Sequence, residues 1–362
     1  MNYSIVAIAS FVTLLLSLLL PFAIRPLLKK LQIVDVPNER SSHKTVVLRG
    51  MGLAVLISLL VGGGLATVFL YVADEQASAN FLLAVGAFSF FAGLLGFGED
   101  LKGVSVGVRS VLLLLIAIGS SAVLVYLGHS SQTIASFYSD LVSFYSHPDN
   151  LMFRDYPLWL LIIIAIYGVF FISGYINVAN FMDGLNGISG LHGFISGATF
   201  AALGWLMAMP WLFIAGSILG LAFAGFLPWN LNKNGAFLGD VGSYLLGGSV
   251  AITSFAALAA GVPMLATIGP MVIYFGDVVV TLIKRVRAGF KWDEPHKEHT
   301  YQRLQQQGRS HLQTSFIVAG FSLLTATLGV ASIFFNGVGW VLFLIGGVAV
   351  LITYLVLPKL TK

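Results

Sequence analysis

Long apolar runs alternate along the chain with short segments that hold most of the charged residues. Each run is about as long as a helix that crosses a bilayer, and its polarity does not alternate as it does in the roughly 10-residue strands of a membrane barrel. The pattern therefore predicts an all-α, polytopic membrane protein whose helices satisfy their own backbone hydrogen bonds. About eleven spans are predicted, over 4–24, 51–73, 79–98, 108–127, 157–178, 187–209, 211–228, 243–260, 264–284, 313–334 and 338–357.

Composition excludes the class of soluble globular proteins. Of the 362 residues, 57% are hydrophobic and 9% are charged, whereas soluble proteins carry about 25% charge. The chain has no cysteine, so any metal must be held by oxygen or imidazole ligands. We expect one membrane-embedded domain over 1–362, with the lipid bilayer and no nucleic acid as a partner.

The basic residues are distributed unevenly between the two sides of the predicted bundle. When the spans are counted from an outside N-terminus, all of the 19 Lys and Arg residues except Arg154 fall on one face. An excess of basic residues marks the cytoplasmic side of a membrane protein. The sequence thus predicts an N-terminus outside, on the periplasmic side, and a cytoplasmic C-terminus.

Acidic residues from separate inner segments map to this same face: Glu99 and Asp100 in "GFGEDLKG", Asp183 in "NFMDGLNG", and Asp240 in "FLGDVGS". Their common location predicts a single site. Adjacent residues on a helix point about 100° apart, so at most one acid of the 99–100 pair faces that site. The alternative for this pair is an ordinary juxtamembrane acidic pair, balanced by nearby basic residues.

The segment "NVANFMDGLNG", residues 177–187, interrupts the apolar pattern most strongly. Polar residues at membrane depth are costly, and here they recur every three positions. On a helix or a tight helical end, Asn177, Asn180, Asp183 and Asn186 would form one polar ridge. The alternative is that the asparagines cap helix ends.

Asp240 lies at the start of a predicted helix and has two possible roles. It could cap that helix, or it could bind a metal together with an oxygen of the 180–186 ridge. Such an oxygen set suits Mg²⁺, which also binds substrate phosphates and water. Inside another span, Asp277 is predicted to be functional or to pair with a nearby cation.

Two histidines of the last inner segment, His296 and His299, are three residues apart. The spacing suggests zinc, but catalytic zinc sites usually need three protein ligands. Because basic residues flank the pair, we favour a cationic loop that binds phosphate. Positive charge that merely marks the inner side remains the alternative.

At these residues the sequence resembles the polyprenyl-phosphate N-acetylhexosamine-1-phosphate transferase family. The resemblance runs from "DVPNERSSHKTVVLRGMG" to "HKEHTYQRL", with several motifs in the same order. It is strongest with the bacterial branch that initiates O-antigen synthesis. Two positions depart from the pattern of many members: Glu99 replaces the first of two aspartates, and Asn186 replaces an aspartate.

The resemblance implies the transfer of a sugar 1-phosphate from a UDP-N-acetyl sugar to undecaprenyl phosphate, at the bacterial inner membrane. It implies Mg²⁺, or Mn²⁺ in its place, bound by Asn180 and Asp240, and catalytic roles for Glu99, Asp100 and Asp183. Members are often dimers, so a homodimer is a candidate assembly. The implied substrate-binding residues are Asp35, Arg40, His43, Lys102, Arg109, Asn177, Asn186, His296, His299 and Arg303.

A secondary transporter is the alternative function. Transporters also use many helices and buried acids, but their sites lie near the bilayer midplane between repeated halves. Here the acids gather at one face and no repeat is seen, which favours the transferase.

Overall fold

The computed structural model describes residues 3–35, 47–130, 156–231, 237–291, 294, 296–335 and 337–361. Helices form nearly all of this part of the chain. They are α1 Tyr3–Lys30, α2 Gly52–Val72, α3 Gln76–Lys102, α4 Val106–Ser130, α5 Leu158–Met182, α6 Ile188–Leu206, α7 Pro210–Asn230, α8 Gly239–Ala259, α9 Met264–Ile268, α10 Val272–Arg287, α11 Thr300–Gln306, α12 His311–Ala331 and α13 Val338–Leu360. Short 3₁₀ turns, Gly269–Met271 and Ser332–Phe334, follow α9 and α12.

Within the described ranges, ten helical stretches are long and apolar enough to cross a membrane, with α9 and α10 counted together. The predicted all-α, polytopic fold is therefore confirmed. The remaining predicted span, 187–209, is also helical and corresponds to α6, which is not among the ten. Its buried residues include several glycines, serines and His192, which lower its apolar character.

Local sequence signals explain several helix boundaries. α7 begins at Pro210, whose missing N–H costs nothing in the first turn. α12 begins with a capping box in which Ser310 and Gln313 exchange hydrogen bonds of 3.2 and 3.0 Å. α3 ends before Gly103, which has a φ of 67°.

A short antiparallel ladder connects the end of α1 to the segment before α2. Strand β1, Val34–Asp35, pairs with β2, Val47–Leu48, so that Asp35 lies opposite Val47. Residues 48–52, which continue from β2, lie next to the start of α8. There the backbone N–H of Phe237 donates to Leu48 O at 3.0 Å.

Helix α8 lies at the centre of the bundle. Nearly all of its residues are buried, whereas α13 keeps only Tyr354 and Pro358 fully buried and exposes a row of apolar side chains that includes Val341, Ile345 and Ile352. Small residues such as Gly247, Gly248 and Ala251 let neighbouring helices approach α8 closely. The N-terminal end of this central helix carries Asp240.

Candidate active site

The N-terminus of α8 is held by a carboxylate from another helix. Asp100, in the last turn of α3, accepts hydrogen bonds from the backbone N–H groups of Asp240 at 3.0 Å and Val241 at 2.9 Å. The first N–H groups of a helix lack partners within it, and the helix dipole favours a negative charge there. Since the Asp100 side chain is fully buried, its contacts fix the position of Asp240.

Arg49 joins the two carboxylates. Its Nε lies 2.7 Å from Oδ1 of Asp100, and an Nη atom contacts Oδ2 of Asp240. The planar guanidinium group can span two acids at once, which a lysine ammonium cannot do in the same way. Sequence analysis did not single out Arg49, although "RGMG" offered a signal: a basic residue among glycines in an inner loop.

Close backbone packing brings these elements together. A Cβ added to Gly96 of α3 would lie 2.1 Å from the carbonyl oxygen of Asp240. A Cβ on Gly239, whose φ is 76°, would lie 2.6 Å from Oδ2 of Asp100. Both positions therefore require glycine, because no side chain fits between α3 and the start of α8.

Asn180, in the last turn of α5, binds the other oxygen of Asp240. Its Nδ2 donates to Oδ1 of Asp240 at 2.8 Å and to Oγ of Ser243 at 2.9 Å. Asp240 therefore contacts Arg49 through one carboxylate oxygen and Asn180 through the other. The predicted juxtaposition of Asn180 and Asp240 is present in the structure.

The donor chemistry around Asp240 fits a hard divalent cation. Asp240 and Ser243 offer a carboxylate and a hydroxyl, and a 180° turn of the Asn180 amide, which now directs Nδ2 at both, would add an amide oxygen; these are the oxygen types that Mg²⁺ prefers. Among the described residues, no group of three or more His, Cys, Asp or Glu side chains could hold a metal. A partial set of protein ligands is what Mg²⁺ commonly uses, because waters and substrate phosphates complete its octahedron.

Asp183 follows the end of α5 and lies within electrostatic range of this cluster. Oγ of Ser189 donates a hydrogen bond of 2.6 Å to its Oδ1. Burial raises the pKa of Asp183 to about 7, and the negative charges of Asp240 and Asp100 act in the same direction. We call Asp100, Asp183 and Asp240, with Arg49 and Asn180, the acid cluster.

The predicted polar ridge forms only in part. Helix α5 ends at Met182, so Asn186 lies in the following loop and not on the next helical turn. There its backbone C=O accepts a hydrogen bond of 2.9 Å from Ser315. Asn177 donates to the carbonyl of Ser173 at 2.9 Å, within its own helix. The ridge prediction was wrong for Asn186, because residue spacing does not fix where a helix stops, whereas Asn177 precedes Asn180 on the same helix.

Glu99 and Asp100 point in different directions, as their adjacency on a helix predicts. Glu99 accepts a hydrogen bond from the backbone N–H of Val104 at 2.9 Å, and Arg109 Nη1 lies 3.4 Å from its Oε1. The Arg109 side chain also lies near Tyr244, one turn beyond Asp240. Glu99 thus stabilises the turn between α3 and α4, where Lys102 is exposed.

A second buried aspartate positions the segment that contains the two histidines, residues 296–299, which we call the histidine loop. Asp277 of α10 accepts hydrogen bonds from the backbone N–H groups of Thr300 at 2.8 Å and Tyr301 at 3.3 Å. It also accepts one from the hydroxyl of Tyr354 at 2.7 Å. Nδ1 of His299 lies 3.3 Å from Oδ1 of Asp277. Asp277 therefore caps α11 and orients His299.

The histidine loop packs against the segment that carries Asp183. The Tyr301 hydroxyl donates to the carbonyl of Phe181 at 3.0 Å, and a Cβ on Gly184 would lie 2.3 Å from that hydroxyl. On its other side the loop is anchored by an ion pair between Arg285 and Glu298. The structure thus brings His299 and the acid cluster to the same end of the bundle, as predicted.

The charge of the histidine loop differs from the prediction. Burial, together with the nearby His299 and Arg285, lowers the pKa of His296 to about 4. His296 is therefore uncharged at neutral pH, and its contact with phosphate, which stays a prediction, would be a hydrogen bond from a neutral imidazole. Arg303 is exposed on α11 and keeps a positive charge near the loop.

The remaining predicted residues belong to the first inner loop. Asp35 lies in β1, where only its backbone is described. Arg40 and His43 lie outside the described residues.

Comparison with known proteins places this architecture in a family. Residues 82–258 match the model of glycosyl transferase family 4, a range that contains Glu99, Asp100, Asn180, Asp183 and Asp240. Over these residues the chain is similar to glycosyl transferase family 4. The resemblance found in the sequence motifs is thereby confirmed at the level of the family.

Curated relatives are similar to this chain over most of its length. A probable undecaprenyl-phosphate N-acetylglucosaminyl 1-phosphate transferase of Bacillus subtilis (strain 168) is 27% identical over 315 residues, 85% of this chain and 80% of the relative. An undecaprenyl-phosphate alpha-N-acetylglucosaminyl 1-phosphate transferase of Thermotoga maritima is 25% identical over 85% of this chain and 84% of its own. A phospho-N-acetylmuramoyl-pentapeptide-transferase of Staphylococcus epidermidis is 27% identical over 68% and 75%.

Proposed function

We propose that the protein transfers an N-acetylhexosamine 1-phosphate from a UDP-sugar to undecaprenyl phosphate and releases UMP. The observation that carries the proposal is the acid cluster, which unites Asn180, Asp183 and Asp240 at helix ends. The names of the relatives support the reaction class and the lipid acceptor. A site at helix ends suits a reaction between a lipid headgroup and a soluble nucleotide.

In this reaction, an oxygen of the lipid phosphate forms a bond to the β-phosphorus of the UDP-sugar. The bond between that phosphorus and the oxygen bridging to the α-phosphate breaks, and UMP leaves with the electron pair. A phosphate monoester has a second pKa near 6, so the lipid phosphate is already mostly dianionic at neutral pH. The protein therefore needs to position two anions rather than supply a strong base.

Asp240 and Asn180 would hold Mg²⁺, or Mn²⁺ in its place. When bound, the ion supplies positive charge that neutralises the diphosphate and the departing UMP. Asp100 fixes Asp240 through the backbone N–H groups at the start of α8. Asp183, held by Ser189, lines the same cluster. Glu99 is a positioning group in this scheme, because it contacts Arg109 and the α3–α4 turn.

Cationic residues around the cluster would attract the phosphates of both substrates. Lys102 and Arg303 are exposed, and Arg109 is partly exposed beside Glu99. Arginine suits phosphate particularly well, because its planar donors match two oxygens at once. His299 would contribute an oriented imidazole from the histidine loop.

The proposal extends to the donor sugar and to the role of the product. UDP-FucNAc, UDP-QuiNAc and UDP-GlcNAc are the candidate donors, and the relatives named N-acetylglucosaminyl transferases support UDP-GlcNAc. The O-antigen-like motifs in the first inner loop and in the histidine loop support a role in initiating a cell-surface polysaccharide.

We also propose that the acid cluster faces the cytoplasm of a bacterial cell, in the inner membrane. The basic residues concentrate on the segments at this end of the bundle, in keeping with the positive-inside rule. A cytoplasmic site would have access to nucleotide sugars.

UMP release tests the proposal. Detergent-purified protein is given undecaprenyl phosphate, Mg²⁺ and each UDP-N-acetylhexosamine in turn, beside Asp240→Asn. We expect release that needs lipid and metal and falls at least about 100-fold in Asp240→Asn. Asp74→Asn, an exposed change in the turn between α2 and α3, is the matched control. Absence of release with every donor, or full activity in a folded Asp240→Asn protein, would contradict the proposal.

A further inference from the structure

Arg49 occupies the position where a cation would approach Asp240. Of the two carboxylate oxygens of Asp240, Oδ1 accepts from Asn180 and Oδ2 contacts the guanidinium of Arg49. A second cation at Oδ2 would stand close to the guanidinium, and like charges a few ångströms apart repel by several kcal/mol at a protein surface of intermediate dielectric. Arg49 and a metal ion therefore compete for Oδ2.

The two ends of the guanidinium group are held differently. Nε binds Asp100, whose side chain is fully buried and already fixed by two backbone N–H groups. The Nη end contacts Asp240, whose side chain keeps 24% of its surface exposed. The Arg49 side chain is itself 32% exposed. The Nε end is thus the anchored end, and the Nη end is the one that a substrate can reach.

We infer that Arg49 is a positioning residue that exchanges partners at Asp240. Nε stays on Asp100, while the Nη end leaves Oδ2 of Asp240 to the metal ion and binds an oxygen of the substrate diphosphate. Guanidinium groups bind phosphate oxygens strongly, so the lost ion pair is replaced by another. This inference rests on the proposed metal site at Asp240.

A purely structural role for Arg49 makes the opposite prediction for metal affinity. If Arg49 only braced Asp240, its removal would leave the carboxylate misplaced and weaken metal binding. If Arg49 competes with the metal, its removal strengthens metal binding in the absence of nucleotide. The sign of the change therefore separates the two roles without any activity measurement.

Mn²⁺ binding to the full-length protein in detergent, followed by electron paramagnetic resonance without nucleotide, provides the test. We expect the Kd for Mn²⁺ to fall at least about fivefold in Arg49→Gln, since a nearby positive charge is removed. Arg109→Gln is the matched control, because Arg109 is 34% exposed and pairs with Glu99 instead of Asp240. Its Kd should change less than about twofold.

A second measurement follows the other end of the exchange. With Mn²⁺ at saturation, UDP should bind Arg49→Gln at least about fivefold more weakly than the unaltered protein, because the diphosphate loses a guanidinium partner. Arg49→Met, which keeps an aliphatic stem, replaces Arg49→Gln if the latter does not fold.

The outcomes separate this inference from the proposed function. Unchanged or weaker Mn²⁺ binding in folded Arg49→Gln, or equal tightening in Arg109→Gln, overturns the exchange and leaves the metal site intact. If Asp240→Asn binds Mn²⁺ as tightly as the unaltered protein, the metal site itself is wrong and both proposals fall.

Discussion

Two buried aspartates, Asp100 and Asp277, hold the two halves of the candidate site by the same device. Each accepts the first backbone N–H groups of a helix to which it does not belong: Asp100 those of α8 and Asp277 those of α11. Each also lies beside a basic side chain, Arg49 or His299. In both halves, the sequence suggests a functional role for the carboxylate, and the structure shows that it positions another residue.

The two halves differ in what packs against the helix that carries the aspartate. Beside Asp100, Gly96 faces the backbone of Asp240, so α3 and α8 meet main chain to main chain. Beside Asp277, Gly276 faces only the side chain of Leu351 in α13. A backbone contact cannot yield, whereas a leucine side chain can change its rotamer. The Asp100 half is therefore the rigid half, and the Asp277 half tolerates adjustment.

The largest effect should come from a methyl group placed in the rigid contact. Gly96→Ala puts a Cβ 2.1 Å from the Asp240 carbonyl oxygen, so we expect a loss of about 3 kcal/mol or more in stability. Gly276→Ala meets the flexible end of Leu351 and should cost less. Gly98→Ala, where the nearest atom is 3.8 Å away, should stabilise the helix by about 0.5–1 kcal/mol. Thermal unfolding in detergent ranks the three.

The proposed difference in rigidity between the two halves is wrong if Gly276→Ala lowers the unfolding temperature as much as Gly96→Ala does. In that case the region around Asp277 would be as rigid as the region around Asp100.

An intermediate effect on stability should come from replacing each of the two aspartates with asparagine in separate variants. Asp100→Asn leaves Arg49 with one carboxylate in place of two, and we expect a cost of about 2–3 kcal/mol, below that of a fully buried broken pair. The hydrogen-bond partners of Asp277 are mainly backbone N–H and side-chain O–H donors, so Asp277→Asn should cost about 1–2 kcal/mol. Asp100→Asn should therefore lower the unfolding temperature more than Asp277→Asn does. The reverse order would show that the Asp277–His299 contact is the stronger ion pair.

The sequence predicted the spans and the convergence of the acids for a clear physical reason. Apolar runs record burial in lipid, and polar residues that interrupt them need partners, so Asn180, Asp183 and Asp240 stood out. Their common side followed from the basic residues, which are costly to move across a membrane.

The partners of these residues could not be predicted, because they depend on contacts between distant segments. Arg49 meets Asp240 only because residues 48–52 hydrogen bond to residues 237–238. Asp277 caps α11 only because the loop after α10 folds back. α5 ends at Met182, just before Gly184 meets Tyr301 of a distant segment, and this end takes Asn186 off the expected ridge.

The smallest effect concerns the charge of His296, in the Asp277 half of the site. The pKa of His296 is about 4 in the folded protein against an ordinary value of 6.5, so the unfolded chain binds more protons between these pH values. Stability should therefore rise with pH across this window. Because His296 is partly exposed, its share should stay below about 1 kcal/mol. The charged and titratable groups that face it are His299, Arg285, Glu298 and Asp277.

Replacing His296 should flatten this pH dependence. We expect the gap in unfolding temperature between pH 4.5 and pH 7.5 to narrow in His296→Asn relative to the unaltered protein, by the linkage between proton binding and stability. His129→Asn, at the exposed end of α4, should leave the gap unchanged. If His296→Asn widens the gap, protonated His296 stabilises the folded state, and the histidine loop is the cationic loop that its sequence suggests.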